Sequence, residues 1–179
     1  LFRSNEISQF KSYLGNPNLK RSGVSVNWTP ELVQEYVKCK NDVVYFVTTY
    51  MKIININKGL VNFVPYPYQE EMLKTMADER YTVIATARQA GKSTTTCGFI
   101  LWYIIFHPDK TVALLANKGE TAREILGRVQ LAYEHLPRWL QQGVKEWNKG
   151  SFELENNSRV IAAATSASAI RGYSINLLF

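Results

Sequence analysis

Thr86-Ala87-Arg88-Gln89-Ala90-Gly91-Lys92-Ser93-Thr94 lies between an apolar run, Tyr81 to Ala85, and a helical run that begins at Ser93. Gly91, Lys92 and Ser93 meet the Gly-Lys-[Ser/Thr] end of the phosphate-loop pattern, whereas the leading glycine position holds Thr86. The stretch reads as a variant phosphate-binding loop, and its flanks decide whether it is one. Tyr81-Thr82-Val83-Ile84-Ala85 is apolar on both faces, as a strand of a covered parallel sheet is. Ser93 to Phe106 contains no proline before the stop at His107-Pro108 and reads as a buried helix. The order strand, loop, helix is the context the pattern needs.

Small residues at Ala87, Ala90 and Gly91 let backbone N–H groups close around phosphate oxygens, and the helix N-terminus adds its dipole. The nucleotide-contacting stretch is therefore expected to run from Ala87 through Arg88, Gln89, Ala90, Gly91, Lys92 and Ser93 to Thr94. Lys92 supplies a mobile charge to the β- and γ-phosphates of ATP, and Ser93 offers a hydroxyl to Mg²⁺. Arg88 is an always-charged planar fork that can stabilise transition-state charge, bridge to a neighbouring element, or form a structural salt bridge. Upstream, Tyr68 and Gln69 fall in the first turn of a helix that opens with Pro67 and buries Met72, Leu73 and Met76. An aromatic ring followed by an amide suits adenine, since the ring stacks while the amide both donates and accepts. The alternative is that Tyr68 packs and Gln69 caps the helix.

Downstream, Thr111 to Ala116 is a second buried strand, Asn117-Lys118-Gly119 a turn, and the next helix carries Ala122, Ile125, Leu126, Val129, Tyr133 and Leu136 on one face. Strands alternating with helices predict a parallel α/β sheet. Gln141 to Gly150 reads as polar and irregular. Ser151 to Glu155 and Arg159 to Ala164 read as a hairpin about Asn156-Asn157-Ser158, with Glu153 and Glu155 solvated. A small-residue loop, Thr165 to Ser174, leads to an apolar strand from Ile175 to Phe179. The fold expected is α/β, a phosphate-loop domain over 60–179 with a mainly parallel sheet flanked by helices, preceded by a small helical subdomain over 1–59. In that subdomain Ser4 caps a helix carrying Ile7, Phe10 and Leu14 to Gly15-Asn16-Pro17, and Thr29-Pro30 starts another. Val43 to Met51 follows at helical spacing, although its β-branched content leaves a strand open.

With 179 residues, 46% hydrophobic and 20% charged, the chain suits one globular domain with a small accessory piece. No run reaches the eighteen or so apolar residues of a membrane helix, so a soluble protein is expected. The net charge of +6 is compatible with a polyanionic partner and equally with a solvated basic surface. Cys39 and Cys97 are far apart in helical patterns and read as buried thiols in a reducing compartment. The absence of Met at Leu1 marks the chain as an excerpt whose ends are expected to be cut.

Tyr68-Gln69, the Ala-Arg-Gln-Ala-Gly-Lys-Ser loop and the Ser-rich loop with Arg171-Gly172 before an apolar strand together resemble the ATPase domain of large terminase subunits of T4-like tailed bacteriophages. The resemblance implies an ATP-driven motor that packages double-stranded DNA into a procapsid. It implies a ring homo-oligomer at the portal vertex in the host cytoplasm, with the portal protein and the small terminase subunit as partners and no membrane. Gln69 would recognise adenine with Tyr68 nearby, and Gly91, Lys92 and Ser93 would hold the phosphates and Mg²⁺. Arg88 matches the loop arginine used in catalysis or coupling. Arg171 falls where some terminases place an arginine reaching a neighbouring subunit's site; a loop salt bridge is the alternative. The family follows the Ile175 to Phe179 strand with an Asp and a Glu, and this sequence stops before both. The expectation is a chain that binds nucleotide and hydrolyses it poorly. A helicase-like DNA translocase and a non-hydrolysing nucleic-acid-binding or assembly fragment are the other readings.

Overall fold

The computed structural model describes residues 11–165 and 170–179. The expected Ser4 cap, Ile7, Phe10 and the small-residue positions 166–169 lie outside them. Residues 12–20 form a hairpin of β1 (Ser12–Tyr13) and β2 (Asn16–Lys20) where a helix ending at Gly15 was expected. The apolar spacing through Leu14 was misleading: Leu14 and Gly15 adopt positive φ (46° and 79°) in the turn, and Leu14 is exposed. Pro17 also withholds the N–H that a continuing helix needs.

Two helices follow. In α1 (Pro30–Asn41) the Leu32 N–H donates to the Thr29 hydroxyl, so the predicted cap and first-turn proline both form. Asp42 caps α2 (Val43–Tyr50) through the Tyr45 N–H, and this cap settles the helix-or-strand choice. A second hairpin, β3 (Lys52–Asn55) and β4 (Gly59–Asn62), straddles the expected boundary at residue 59/60. Helix α3 (Pro67–Asp78) leads towards the loop and α4 (Lys92–Phe106) leaves it.

The remaining elements build a five-stranded mixed sheet: β5 (Thr111–Ala116), α5 (Gly119–Glu134), β6 (Val144–Trp147), β7 (Ser151–Leu154), β8 (Arg159–Ala164) and β9 (Leu177–Leu178), in strand order β6-β7-β8-β5-β9. Strands β8, β5 and β9 are parallel; β6 and β7 extend the sheet antiparallel. The expected hairpin is thus β7–β8, while the segment read as irregular contributes β6. Helix α5 packs on β5 and β8, α4 packs on α5, and α2 and α3 cover the other side of α4. Buried on nearly every face, α4 is apolar all round, as a central helix is. At Gly98 an added Cβ would lie 2.9 Å from the Met51 sulfur and 3.1 Å from Val47, so the missing side chain sets how closely α2 approaches. The Trp102 Nε1–H donates to the Cys39 carbonyl at 2.9 Å, and one continuous core includes Phe46 of α2 and Phe106 of α4. Cys39 and Cys97 are buried free thiols, and burial pushes both up to about 12.

The strand expected at Tyr81 to Ala85 makes no ladder. The segment carries no regular structure, and Tyr81 and Val83 are 82% and 96% exposed. Its side chains suit a strand, but a strand exists only where another edge lies in hydrogen-bonding reach. The sheet ends at β9, and a cleft of 870 Å³ lined by Tyr81 to Ile84 and by Ile175 to Phe179 separates the two.

The β1–β2 hairpin is stapled to the far side of the sheet. Arg138 donates to the Lys11 and Pro17 carbonyls (3.0 and 2.8 Å), and the buried Gln141 accepts from the Lys20 N–H at 2.9 Å. Glu155 pairs with Lys20 (3.5 Å) and accepts from the Gly23 and Gly143 N–H groups at 3.0 and 2.7 Å, in place of the solvated role expected of it. Burial pushes the Glu155 carboxyl up, yet those N–H donors and the Lys20 ammonium outweigh it and hold it below its ordinary value. Burial, with a smaller contribution from the Arg138 charge, holds the Lys20 ammonium below its ordinary value despite Glu155 beside it, so the pair's benefit comes through the carboxylate. Because the folded carboxyl value is depressed, the stabilisation is full above the unfolded value near 4.5 and is lost as pH falls through the folded one. Urea unfolding at pH 7 and pH 4 should show Glu155→Gln less stable at pH 7 and with a shallower acid loss than the parent. Parallel pH curves for the two proteins would remove Glu155 from the acid limb.

Candidate functional site

Residues 86–92 turn sharply between the unpaired segment 81–85 and α4. Gln89 and Gly91 both take left-handed φ (61° and 74°), and Ala90 lies between them. Glutamine rarely adopts that conformation, and such strain persists only where the surroundings impose it. Alternating left-handed residues gather successive N–H groups on one side of a chain, forming a concavity suited to an anion. Gly91 is also the N-cap of α4 and offers no side-chain cap. Its carbonyl accepts from the Thr95 N–H (2.9 Å), while the N–H groups of Lys92, Ser93 and Thr94 precede the first intrahelical bond. Those donors and the positive end of the helix face whatever the loop encloses.

Lys92 folds back across the loop, its Nζ donating to the Thr86 and Ala87 carbonyls, both at 3.1 Å. The ammonium is thus held beside the turn by the loop's own backbone. Lys92 and Ser93 also line the cleft near the carboxyl end of β9, the end at which ligands bind in parallel sheets. Ala87, Arg88 and Gln89 are exposed, whereas Ala90, Ser93 and Thr94 are half-buried.

Tyr68 and Gln69 reach the loop from the first turn of α3. The Tyr68 hydroxyl donates to the Ala90 carbonyl at 2.9 Å, and Gln69 Nε2 donates to the same oxygen at 3.2 Å. Gln69 Oε1 accepts from the Tyr66 N–H at 2.9 Å, which makes this buried amide a helix cap as well as a loop contact. The space beside Gly91 is taken by the same side chain: an added Cβ would lie 2.5 Å from Gln69 Nε2. The Tyr66 ring stacks on that of Tyr68 (centroids 5.9 Å apart, planes at 8°), and both are exposed. Tyr66 is an addition to the expected site residues, and its signal in the sequence is Tyr66-Pro67-Tyr68 about a first-turn proline.

The loop therefore gathers Tyr68, Gln69 and Ala87 to Thr94, but not Arg171. Arg171 sits in an exposed turn beside Gly172 (φ 89°), with no hydrogen bond or ion pair to the loop among the described residues. Arg88 likewise makes no ion pair among them. The two histidines are spent at helix ends, where His107 and His135 Nδ1 lie 3.1 and 2.8 Å from the Tyr103 and Leu131 carbonyls. Compared with known families, residues 83–179 match the one described as "Terminase large subunit, T4likevirus-type, N-terminal".

Proposed function

The chain belongs to the T4-like terminase large subunit family, whose role is viral DNA packaging, and from that premise we propose that it forms the nucleotide-holding part of an ATP-driven packaging motor. The observation that carries this reading is the turn at Gln89 to Gly91 opening onto the uncapped N-terminus of α4, with Lys92 folded over it. The fold proposed is that of a P-loop NTPase. Backbone N–H groups from Ala87 to Thr94 surround the phosphates of ATP, and Lys92 exchanges its carbonyl partners for the β- and γ-oxygens. Ser93 would hold Mg²⁺ through its hydroxyl, and the ion would supply neutralising charge at those phosphates. Tyr68, with Tyr66 stacked on it, offers an aromatic face for the base.

In this reading Arg88 is a charge at the loop's outer edge, free to meet the transferred phosphoryl group or a neighbouring element. Arg171 is exposed and suited to reach a neighbouring subunit in a ring. The motor couples hydrolysis to translocation of double-stranded DNA, with the portal protein and the small terminase subunit as partners at the portal vertex of a procapsid in the host cytoplasm. Among the described residues no helix is long and apolar enough to cross a membrane. Calorimetric titration with ATP and Mg²⁺ is expected to show one site of micromolar affinity. No heat of binding at millimolar nucleotide would overturn the reading in favour of an assembly fragment.

A further inference from the structure

We propose that Thr96 is a positioning residue for magnesium at the loop, its hydroxyl holding a water that belongs to the metal while Ser93 takes the metal itself. The proposal rests on the nucleotide-binding reading above and adds to it a residue outside the loop. Two neighbouring threonines of α4 spend their hydroxyls differently. A threonine in a helix commonly turns its hydroxyl back to the carbonyl three or four residues earlier. Thr95 does so, donating to the Gly91 carbonyl at 3.1 Å. Thr96 is 3% exposed, and its hydroxyl has no hydrogen-bond partner among the described residues. What Thr96 leaves accessible includes that hydroxyl, because among the described residues no side-chain nitrogen or oxygen is both fully buried and unpartnered. The accessible part opens into the cleft between α4 and β9, which Thr96 lines together with Ser93 and Phe99.

These three residues recur at intervals of three, so they stand one below another on the side of α4 that looks across at Ile175 to Phe179. Ser93 lies in the first turn beside Lys92, and Thr96 lies about 4.5 Å deeper along the axis. Phe99, 4% exposed, ends the column with an apolar floor. The Ser93 hydroxyl likewise has no partner among the described residues. Two unpaired hydroxyls in line above a ring make a polar spot at the loop end of the cleft, where an ordered water finds partners. Magnesium gives up its hydration reluctantly and keeps several waters when a protein takes one of its positions. A metal on the Ser93 hydroxyl would therefore carry a water for the Thr96 hydroxyl to hold, and holding it fixes how the remaining positions are turned towards the phosphates. In the chain alone an unpaired buried hydroxyl is unfavourable, the signature of a group kept for what it binds.

The test uses Thr96→Val, which nearly keeps the shape and removes the hydroxyl, and Thr96→Ser, which keeps the hydroxyl. ATP is titrated by calorimetry into the full chain with Mg²⁺ and with EDTA, and Mn²⁺ binding to the ATP-loaded chain is followed by its EPR signal. We expect Thr96→Val to weaken ATP about fivefold in Mg²⁺, the scale of one hydrogen bond, and to leave affinity in EDTA unchanged. Half-saturation of the ATP-loaded variant should need about fivefold more Mn²⁺. Thr96→Ser should return both values to within about twofold of the parent. The urea midpoint of Thr96→Val should equal or exceed that of the parent, since the change removes an unpaired buried polar group. Unchanged Mg²⁺ and Mn²⁺ dependence in Thr96→Val would overturn the proposal, as would equal weakening in EDTA, which would mark an altered loop shape. A lower urea midpoint would show that the hydroxyl serves the fold, also overturning it. A parent chain that binds no ATP under either condition would instead overturn the nucleotide reading, and this proposal with it.

Discussion

Lys92→Ala should weaken ATP binding by about a hundredfold or more, corresponding to roughly 3 kcal/mol from charge-assisted contacts at 1.5–3 kcal/mol each. The ammonium already holds the Thr86 and Ala87 carbonyls at 3.1 Å, so truncation removes the phosphate's counter-charge and the brace across the loop together. The same substitution should leave the unfolding midpoint almost unchanged, since both carbonyls belong to exposed residues that water can solvate. Lys92→Arg should not restore binding: a planar fork cannot reproduce a compact charge directed at two carbonyls and, later, at two phosphates. Calorimetry on the three proteins checks this, and affinity within threefold of the parent in Lys92→Ala would remove Lys92 from the site.

The largest effect on stability should come from Phe46→Ala. Phe46 is fully buried in α2, its ring 5.3 Å from Phe106 of α4 and 6.3 Å from Tyr50. Truncation leaves a cavity where α2 meets the central helix, a change that costs about 3–5 kcal/mol in such sites. Because residues on either side of position 59 share one core, urea should unfold parent and variant in a single transition, the variant's at lower urea. A second transition confined to the N-terminal helices would show that the region before residue 59 folds by itself.

Where the sequence carries its own local chemistry, its reading and the structure agree. Thr29-Pro30 caps α1, Ala122, Leu126 and Val129 line the buried face of α5, and the Asn-Asn-Ser turn joins β7 to β8. The disagreements occur where a partner far along the chain decides. Tyr81 to Ala85 has the composition of a core strand, but composition cannot supply the neighbouring edge. Residues 12–20 form a hairpin that docks on Arg138 and Gln141, over a hundred positions away, and no periodicity announces that. Glu153 and Glu155 alternate along the chain and both read as solvated, yet Glu153 pairs with Arg159 and Lys145 while Lys20, Gly23 and Gly143 converge on Glu155. At the loop the residue types were legible, as was the alternative that Gln69 caps its helix; the reach of its Nε2 to Ala90 was not, because it depends on how α3 is set against the turn.

The loop is held unequally along its length, and this bears on how it moves. Beyond Gly91 the chain enters a helix packed on nearly every side, so amides from Thr95 onward should open only with the whole domain. Before Thr86 it lies outside any ladder, and its amides should exchange with solvent in fast local openings. From Thr86 onward the turn is braced, by Lys92 at Thr86 and Ala87 and by Tyr68 and Gln69 at Ala90, so the loose part is the approach to it. Residues 81–85 can shift without breaking a strand pairing, which gives the approach to the loop mechanical freedom that the helix on its exit side lacks.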